Sequence, residues 1–470
     1  MTPEQREAIL DNAKYLRRVR PIDPGEINAY VEGRPHPAAV RQVLREAAPD
    51  LGLIERPDGT FEPVHEDPVE GVAGTVERFP DRYARRLEDL LVERYGPDWH
   101  AGDAGAELRE AISDLKEGYF RGADITYDET AALGYAIYHL PDYYAAVQYV
   151  LDDLVERRLL PRHLRVVDVG AGVGGPALGI ADYLPEDALL DYHAVEPSPA
   201  ADVLSALLDE TGRNVHPTIR RERAGDVDPP DCDLLVFGNV LSELDDPVSV
   251  VRRYAETLAG DGSLLLLAPA DLATSTGLRE IERELAGGPS GPTVYSPTVR
   301  LWPGHEPRDR CWSFDVRPDL AVPGFQRRLD EAGAGDGEFV NVNVQFSYAL
   351  LRPDGARRIE FVPDAGRFAK MAGTERHVTE RIDLAAVKLS HDLAEGRDGS
   401  NPLFLVGDGS QRVDHYAVLT RETGLNDDLR TAAYGDLLLV ESALALWNDD
   451  EEAYNLVVDD ETVVDRVGPR

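Results

Sequence analysis

Residues 166–175 read Val166-Val167-Asp168-Val169-Gly170-Ala171-Gly172-Val173-Gly174-Gly175, a short apolar run ending in an acid and then four glycines within six residues. Such a run predicts a strand that turns at once into a helix. Glycine is needed at the turn because it takes left-handed backbone angles without strain and lets backbone approach a ligand with no Cβ between them. Working outward, the short apolar segments LRVVDVG, LLDYHAVE, TIRRER, CDLLVFGNV and GSLLLLAPA alternate with helical stretches from residue 164 to about 270. Strands separated by helices imply a parallel, doubly wound sheet of the α/β class. EFVNVNVQFSYALLR and RIEFV, around a Pro-Asp-Gly turn, predict a final antiparallel pair.

The acids after the glycines narrow the chemistry. Glu196, in HAVEPS at the end of the second strand, falls about 20 residues past the loop, where a carboxylate accepts both hydroxyls of a ribose. Asp226, in RAGD after the third strand, falls where an adenine amino group would be read, and Asn239 closes the fourth strand in FGNV. A glycine loop alone does not decide the ligand, since dinucleotide oxidoreductases share it and also carry an acid after the second strand. The spacing GAGVGG, the EPS after strand two and the run DLLVFGNVLSEL resemble class I S-adenosylmethionine-dependent methyltransferases instead. That resemblance implies a Rossmann-like core with Asp168, Gly170, Gly172, Gly174, Glu196, Asp226 and Asn239 at the cofactor. Methyl transfer from a sulfonium needs alignment and exclusion of water more than side-chain chemistry. No catalytic residue is therefore marked by the sequence. The Asn/Asp-Pro-Pro-aromatic tetrapeptide of amino-methylating nucleic-acid enzymes does not follow strand four, and DPPDC at 228–232 precedes the strand. Cys232, ahead of an apolar run, reads as a core thiol rather than a nucleophile.

The flanks predict further modules. Residues 1–70 hold an amphipathic opening, a helix after Pro24, a break at EGRPHP, a second helix and the hairpin-like LGLIERPDGTFEPV, the order of a winged-helix-like module or of a plain helical cap. Arg41 and Arg45 share one face of its second helix by their i, i+4 spacing. Residues 75–160 read as a helical cap leading into the core, and Tyr135, Tyr138, Tyr143, Tyr144 and Tyr149 sit there at packing positions. The core domain is expected over 161–375. From 385 to 470, NPLFLVG, DHYAVLT, GDLLLVESALALWN, AYNLVV and TVVDRV predict a small, OB-like β barrel.

Composition sets outer limits. The chain has 470 residues, room for several cores. No apolar run approaches the roughly 18 residues of a membrane span, and no secretory leader opens the chain, so a cytoplasmic location is expected. Two cysteines, Cys232 and Cys311, are too few for a disulfide framework or a thiolate metal site. The formal net charge is −38, and nearly all the cations are arginine, a pattern similar to proteins of salt-accumulating archaea. In molar salt the Debye length falls to about 3 Å, so long-range repulsion of a polyanion vanishes and close arginine contacts decide binding.

Five segments in order carry a closer resemblance: the helix ALGYAIYHLPDYYAAVQYVLDDL before the glycine loop, NVLSEL with Leu241 and Glu243, RCWSFDVRP, FSYALLRP and AYGDLLL. Over about residues 125–440 the chain resembles the mitochondrial and archaeal/bacterial family of small-ribosomal-subunit assembly methyltransferase-like proteins. The resemblance implies S-adenosylmethionine binding, association with the small subunit or its precursor rRNA as a monomer, and a role in maturation or translation. It places Asn239 and Glu243 at the pocket floor. Some relatives retain only the ribosomal role, so a scaffold-type factor is the alternative, with a small-molecule or protein methyltransferase third. Relatives carry cysteines resembling iron–sulfur ligands where this chain reads YSPTVRLWPGHEPRDRCWSF with Cys311 alone; no cluster and no metal are expected. Arg17, Arg18, Arg20, Arg357, Arg358, Arg367 and Lys370 are the candidate RNA-facing cations.

Overall fold

The computed structural model describes residues 1–72, 74–121, 128–288 and 291–468, so residues 122–127 of the expected helical cap lie outside the described residues. Contacts divide the chain into two compact units, residues 1–234 with 320–342, and residues 235–319 with 343–470.

The first unit opens with α1 (Pro3–Leu16), started by a capping box in which Thr2 and Gln5 satisfy each other's backbone N–H. Helices α2 (Pro24–Tyr30), α3 (Pro37–Glu46) and α4 (Ala48–Leu51) follow. The expected hairpin forms from β1 (Leu53–Glu55) and β2 (Phe61–Pro63), with Ile54 opposite Glu62. Apolar residues of all these elements, among them Ile9, Ile27, Val40, Leu44 and Phe61, meet in one core. Helices α5 (Asp81–Tyr95), α6 (Gly102–Arg121) and the long α7 (Glu129–Val155) lead into β3 (His163–Val169). Then come α8 (Gly175–Tyr183), β4 (Leu189–Val195), α9 (Ala200–Leu208) and β5 (Val215–Arg220). These strands are parallel in the order β5-β4-β3, with Asp168 opposite Ala194 and Ala194 opposite Ile219. Glycine sets how close the flanking helices come: a Cβ on Gly179 would lie 2.3 Å from Val147 and 2.6 Å from the Tyr144 carbonyl oxygen.

Strand β6 (Cys232–Gly238) carries the chain into the second unit. There follow a 3-10 turn at Leu241–Glu243, α10 (Pro247–Ala255), β7 (Leu258–Pro269), α11 (Leu272–Ala286), β8 (Thr293–Ser296) and β9 (Asp315–Arg317). The chain returns to the first unit for α12 (Gly324–Glu331) and re-enters the second at β10 (Val344–Arg352). β10 runs antiparallel to β7, with Phe346 opposite Pro269 and Leu350 opposite Leu265. Its other partners are β8 and β9. This corrects the expected pairing with RIEFV. Residues 358–362 form no strand, because Ile359 and Phe361 pack on an apolar cluster with Trp302, Phe368 and Leu405.

The remaining strands are β11 (Arg381–Lys388), β12 (Leu403–Gly407), β13 (His415–Leu419), β14 (Leu437–Asn448), β15 (Ala453–Val458) and β16 (Val463–Val467), with the short α13 (Asp428–Thr431) before β14. Their order β11-β12-β13-β15-β14, with β14 pairing back onto β11, closes a five-stranded barrel, and β16 lies on the far edge of β14. β13 and β15 are parallel. This small closed barrel meets the OB-like expectation. The ring closes where β14 bends at Ser442, which sits at φ +65 and donates its N–H to Asp383 at 2.8 Å. β11, which closes the ring, was not among the predicted strands. The fold is thus α/β with a Rossmann-like core, a helical N-terminal region and a C-terminal barrel.

Candidate functional site

The glycine loop follows from local backbone demand. Gly170, Gly172 and Gly174 take φ of 71, 53 and 94, angles that a side chain rarely adopts. The Gly170 N–H donates to the Val195 carbonyl at 2.8 Å, so the loop is tied to the end of β4 as it leaves β3. A Cβ built on Gly172 meets no atom closer than 4.0 Å, so its surface faces open space. Gly175 differs. A Cβ there would lie 2.8 Å from the Tyr143 Cβ, so this glycine serves the packing of α8 on α7.

Glu196 leaves the end of β4 and is gripped from both sides. Its Oε2 accepts the Gly172 N–H at 2.9 Å and its Oε1 accepts the Ser198 N–H at 2.8 Å, while the side chain is buried. Two backbone donors thus fix a carboxylate beside the loop, the arrangement for reading a diol. Asp168, at the end of β3, is fully buried. Its Oδ2 accepts the Tyr192 hydroxyl from β4, and its Oδ1 has no hydrogen-bond partner among the described residues. Burial, with a smaller contribution from the Glu196 charge, raises the Asp168 carboxyl to about 7 against the opposing Tyr192 hydrogen bond. Burial likewise pushes the Tyr192 hydroxyl well above its usual range, so it stays a donor. An unpartnered buried carboxylate oxygen costs free energy unless a ligand answers it.

The other sequence candidates separate from this group. Asp226 sits exposed on a turn, its N–H bonded to the Arg223 carbonyl at 2.9 Å. Asn239 belongs to the second unit. It takes φ +60, donates its N–H to the Leu267 carbonyl at 3.0 Å and leaves a buried Oδ1 without a partner among the described residues. Backbone strain together with an unanswered polar atom is the signature of a functional position. Glu243 is exposed on the 3-10 turn. Sequence reasoning missed Tyr192 and Ser198. Tyr192 had a legible signal, because alternation along β4 puts it and Ala194 on the face opposite Asp191 and His193.

The flanking arginines, the candidate RNA-facing ones among them, are largely occupied. Arg41 and Arg45 converge on the buried carboxylate of Glu55, Arg45 with a second contact from Nη2 to Oε1 at 2.9 Å. Arg17 donates to the Leu51 carbonyl, Arg20 to Glu26 and Arg367 to Glu441. Arg357 donates to the Arg300 carbonyl, Arg358 is buried, and the Lys370 ammonium lies 4.8 Å from the Trp302 ring centre. Arg18 is exposed. A cavity of about 1020 Å³ opens beside Glu55, Asp182 and Asn214, at the starts of β4 and β5. Ligands of parallel sheets bind at the opposite, carboxyl ends, where Asp168 and Glu196 stand. Among the described residues no cluster of potential metal ligands occurs, and no helix is long and apolar enough to cross a membrane.

Residues 167–264 match a methyltransferase domain model. Residues 6–57 and 372–467 match the N-terminal and C-terminal domains of a domain of unknown function, DUF8157. No curated protein matches. Among solved structures the chain is similar to the YcgJ protein from Bacillus subtilis (27% identity, 23% of this chain and 45% of that one, TM-score 0.20). It is also similar to the mitomycin 7-O-methyltransferase MmcR (17%, 57% and 75%, TM-score 0.24). A third is an S-adenosylmethionine-dependent methyltransferase from Clostridium acetobutylicum (12%, 40% and 64%, TM-score 0.25). The chain spans less than half of the first of these proteins and just under two thirds of the third. The glycine loop, Glu196 and Asn239 therefore lie within a methyltransferase domain, whose family uses S-adenosylmethionine.

Proposed function

We propose that this chain is an S-adenosylmethionine-dependent methyltransferase of small-ribosomal-subunit biogenesis, acting as a cytoplasmic monomer on the subunit or its precursor rRNA. The observation that carries the cofactor assignment is the Glu196 carboxylate, locked to the glycine loop by the Gly172 N–H beside the open Oδ1 of Asp168. The residues fit the group. Glu196 would accept the ribose hydroxyls, Gly170, Gly172 and Gly174 would let backbone approach, and Asp168 would answer the ammonium of the amino-acid end. From the resemblance we also assign Asp226 to the adenine and Asn239 to the side of the transferring methyl. When bound, the cofactor supplies a methyl group already activated as a sulfonium. The protein's task is then to orient the acceptor and exclude water.

The ribosomal assignment rests on the five ordered segments shared with the assembly family, and an OB-like barrel is a fold that serves oligonucleotide recognition. The acidity of the chain suits work in molar salt. A second reading, a methyltransferase of a small molecule or protein, is favoured by the internal pairing of Arg17, Arg41, Arg45 and Arg367. Calorimetric titration of S-adenosylmethionine in molar KCl tests the core assignment. Saturable binding is expected in the wild type and loss of it in Asp168→Ala and Glu196→Ala. Absence of binding by the wild type would leave a scaffold-type assembly factor. A missing rRNA methyl group in a deletion strain would decide between the two substrate classes.

A further inference from the structure

Helix α7 carries a polar cluster that cofactor binding leaves without a role. The His139 ring is surrounded by Tyr135 at 5.0 Å, Tyr138 at 4.9 Å and Tyr143, stacked at 5.6 Å. Its Nδ1 lies 3.3 Å from Asp142 Oδ2. The same carboxylate oxygen accepts Asn341 Nδ2 at 2.9 Å, and Oδ1 accepts the Tyr143 N–H at 2.8 Å. Asn341 is fixed in turn, donating from Nδ2 to the Tyr138 carbonyl at 3.1 Å and from its backbone to Gln326 Oε1 at 3.1 Å. Asn341 Nδ2 also lies 3.4 Å from Nδ1, but its two protons are directed to the nearer Tyr138 carbonyl and Asp142 Oδ2; an ionised carboxylate only accepts, so the tautomer this arrangement favours carries the proton on Nδ1 and leaves the Nε2 lone pair available. Nε2 makes no hydrogen bond among the described residues, and the side chain keeps 20% exposure.

This cluster abuts the glycine loop. The Leu140 carbonyl and the Tyr143 Cβ stand so close to Gly175 that a Cβ there would lie 3.5 and 2.8 Å from them. Asp142 is buried, and burial raises its carboxyl while the His139 and Asn341 hydrogen bonds oppose the rise. An apolar residue would pack on α7 without that desolvation cost, so packing does not account for a buried acid oriented on a partly exposed imidazole.

We propose that His139 is the base of the methyl transfer, taking at Nε2 the proton of an N–H or O–H acceptor, with Asp142 and Asn341 as its positioning residues. The inference rests on the methyltransferase reading above. In that step the acceptor heteroatom forms its bond to the methyl carbon, and the sulfur–methyl bond breaks with its electron pair passing to sulfur. The acceptor's proton ends on Nε2, and the imidazolium is paired with Asp142. The acceptor class is therefore a nitrogen or oxygen nucleophile that is protonated before reaction. The tyrosine rim at Tyr135 and Tyr138 favours one carried on a planar ring.

The test uses the full chain with isotope-labelled histidine rings, the His139 signal being identified by its loss in His139→Gln. S-adenosylmethionine and S-adenosylhomocysteine serve as probes because they differ by one methyl group and one positive charge. The free protein is expected to show the Nδ1–H tautomer. The His139 ring signals are expected to differ between the saturated sulfonium and thioether complexes, because the two ligands differ by one positive charge beside the base. Asp142→Asn is expected to remove the tautomer preference; if that variant does not fold, Asn341→Ala, which removes one of the donors fixing Asp142, is expected to weaken it. Identical His139 ring signals in two saturated complexes, or an Nε2–H tautomer, overturn the assignment of the base alone. Failure of both ligands to bind, read by calorimetry, overturns the methyltransferase reading and this inference with it.

Discussion

The Tyr192 hydroxyl donates to Asp168 Oδ2 between neighbouring parallel strands, with both side chains fully buried. The bond holds the carboxyl in one orientation and leaves Oδ1 without a donor among the described residues. A tyrosine thus does for Asp168 what two backbone N–H groups do for Glu196.

Cofactor affinity is expected to depend on pH through Asp168. Its carboxyl is raised to about 7, and a ligand ammonium prefers the ionised form. Affinity for S-adenosylmethionine therefore climbs from about pH 6 and falls again above about pH 8, where the ligand's α-amino group loses its proton. Tyr192→Phe removes the hydrogen bond that opposes burial, moves the midpoint upward and weakens binding at pH 7 by about tenfold. Asp168→Asn flattens the profile. Calorimetry across the pH range reads all three, and a flat wild-type profile would remove Asp168 from the ammonium contact.

Stability of the ligand-free protein follows the same group with the opposite slope. The folded pKa lies above the unfolded one, so the contribution is fully present below about pH 4 and is lost as pH rises through about 7. At pH 8, Asp168→Asn is expected to unfold at higher denaturant than the wild type, by about 1–3 kcal/mol, and to lose that advantage near pH 4. Urea midpoints at the two pH values check the crossing.

Two helical glycines predict opposite responses to alanine. A Cβ on Gly179 would press on the backbone of Tyr144 and on Val147, so Gly179→Ala is expected to cost about 1–3 kcal/mol. Gly277, inside α11, has nothing within 4 Å of such a Cβ, and Gly277→Ala is expected to gain up to about 1 kcal/mol from helix propensity. Chemical denaturation of the pair separates a steric cost from a backbone-entropy gain.

Gln326 repairs a helix break. Pro141 lies inside α7 and lacks the N–H that would reach the Ile137 carbonyl. Gln326 Nε2 donates to that carbonyl at 2.8 Å, and its Oε1 accepts the Asn341 N–H at 3.1 Å. Gln326→Ala leaves both groups unanswered in a buried place and is expected to cost about 1–3 kcal/mol. Pro141→Ala in that background restores an N–H and should recover part of the loss, read as a double-mutant cycle in melting temperature.

The parts legible in the sequence were those written in contiguous residues. The glycines after Val169, the strand–helix alternation through β3 to β7, the Pro-Asp-Gly hairpin of β1 and β2 and five of the six strands of the C-terminal sheet all follow from torsional demand and periodicity, which act within a few residues. The same kind of reading misplaced RIEFV, because a β pattern states that a segment can pair and not what it meets; Ile359 and Phe361 were claimed by an apolar cluster instead.

What the sequence by itself determined is the class of the core and the acid–glycine–acid framework of Asp168, Gly172 and Glu196. Only the tertiary structure decided that Tyr192 holds Asp168, that Asn341 reaches Asp142 across 199 residues, and that Arg41 and Arg45 pair with the buried carboxylate of Glu55. The physical reason is that buried polar groups must find partners, and which partners are in reach is settled by packing among segments far apart in the chain.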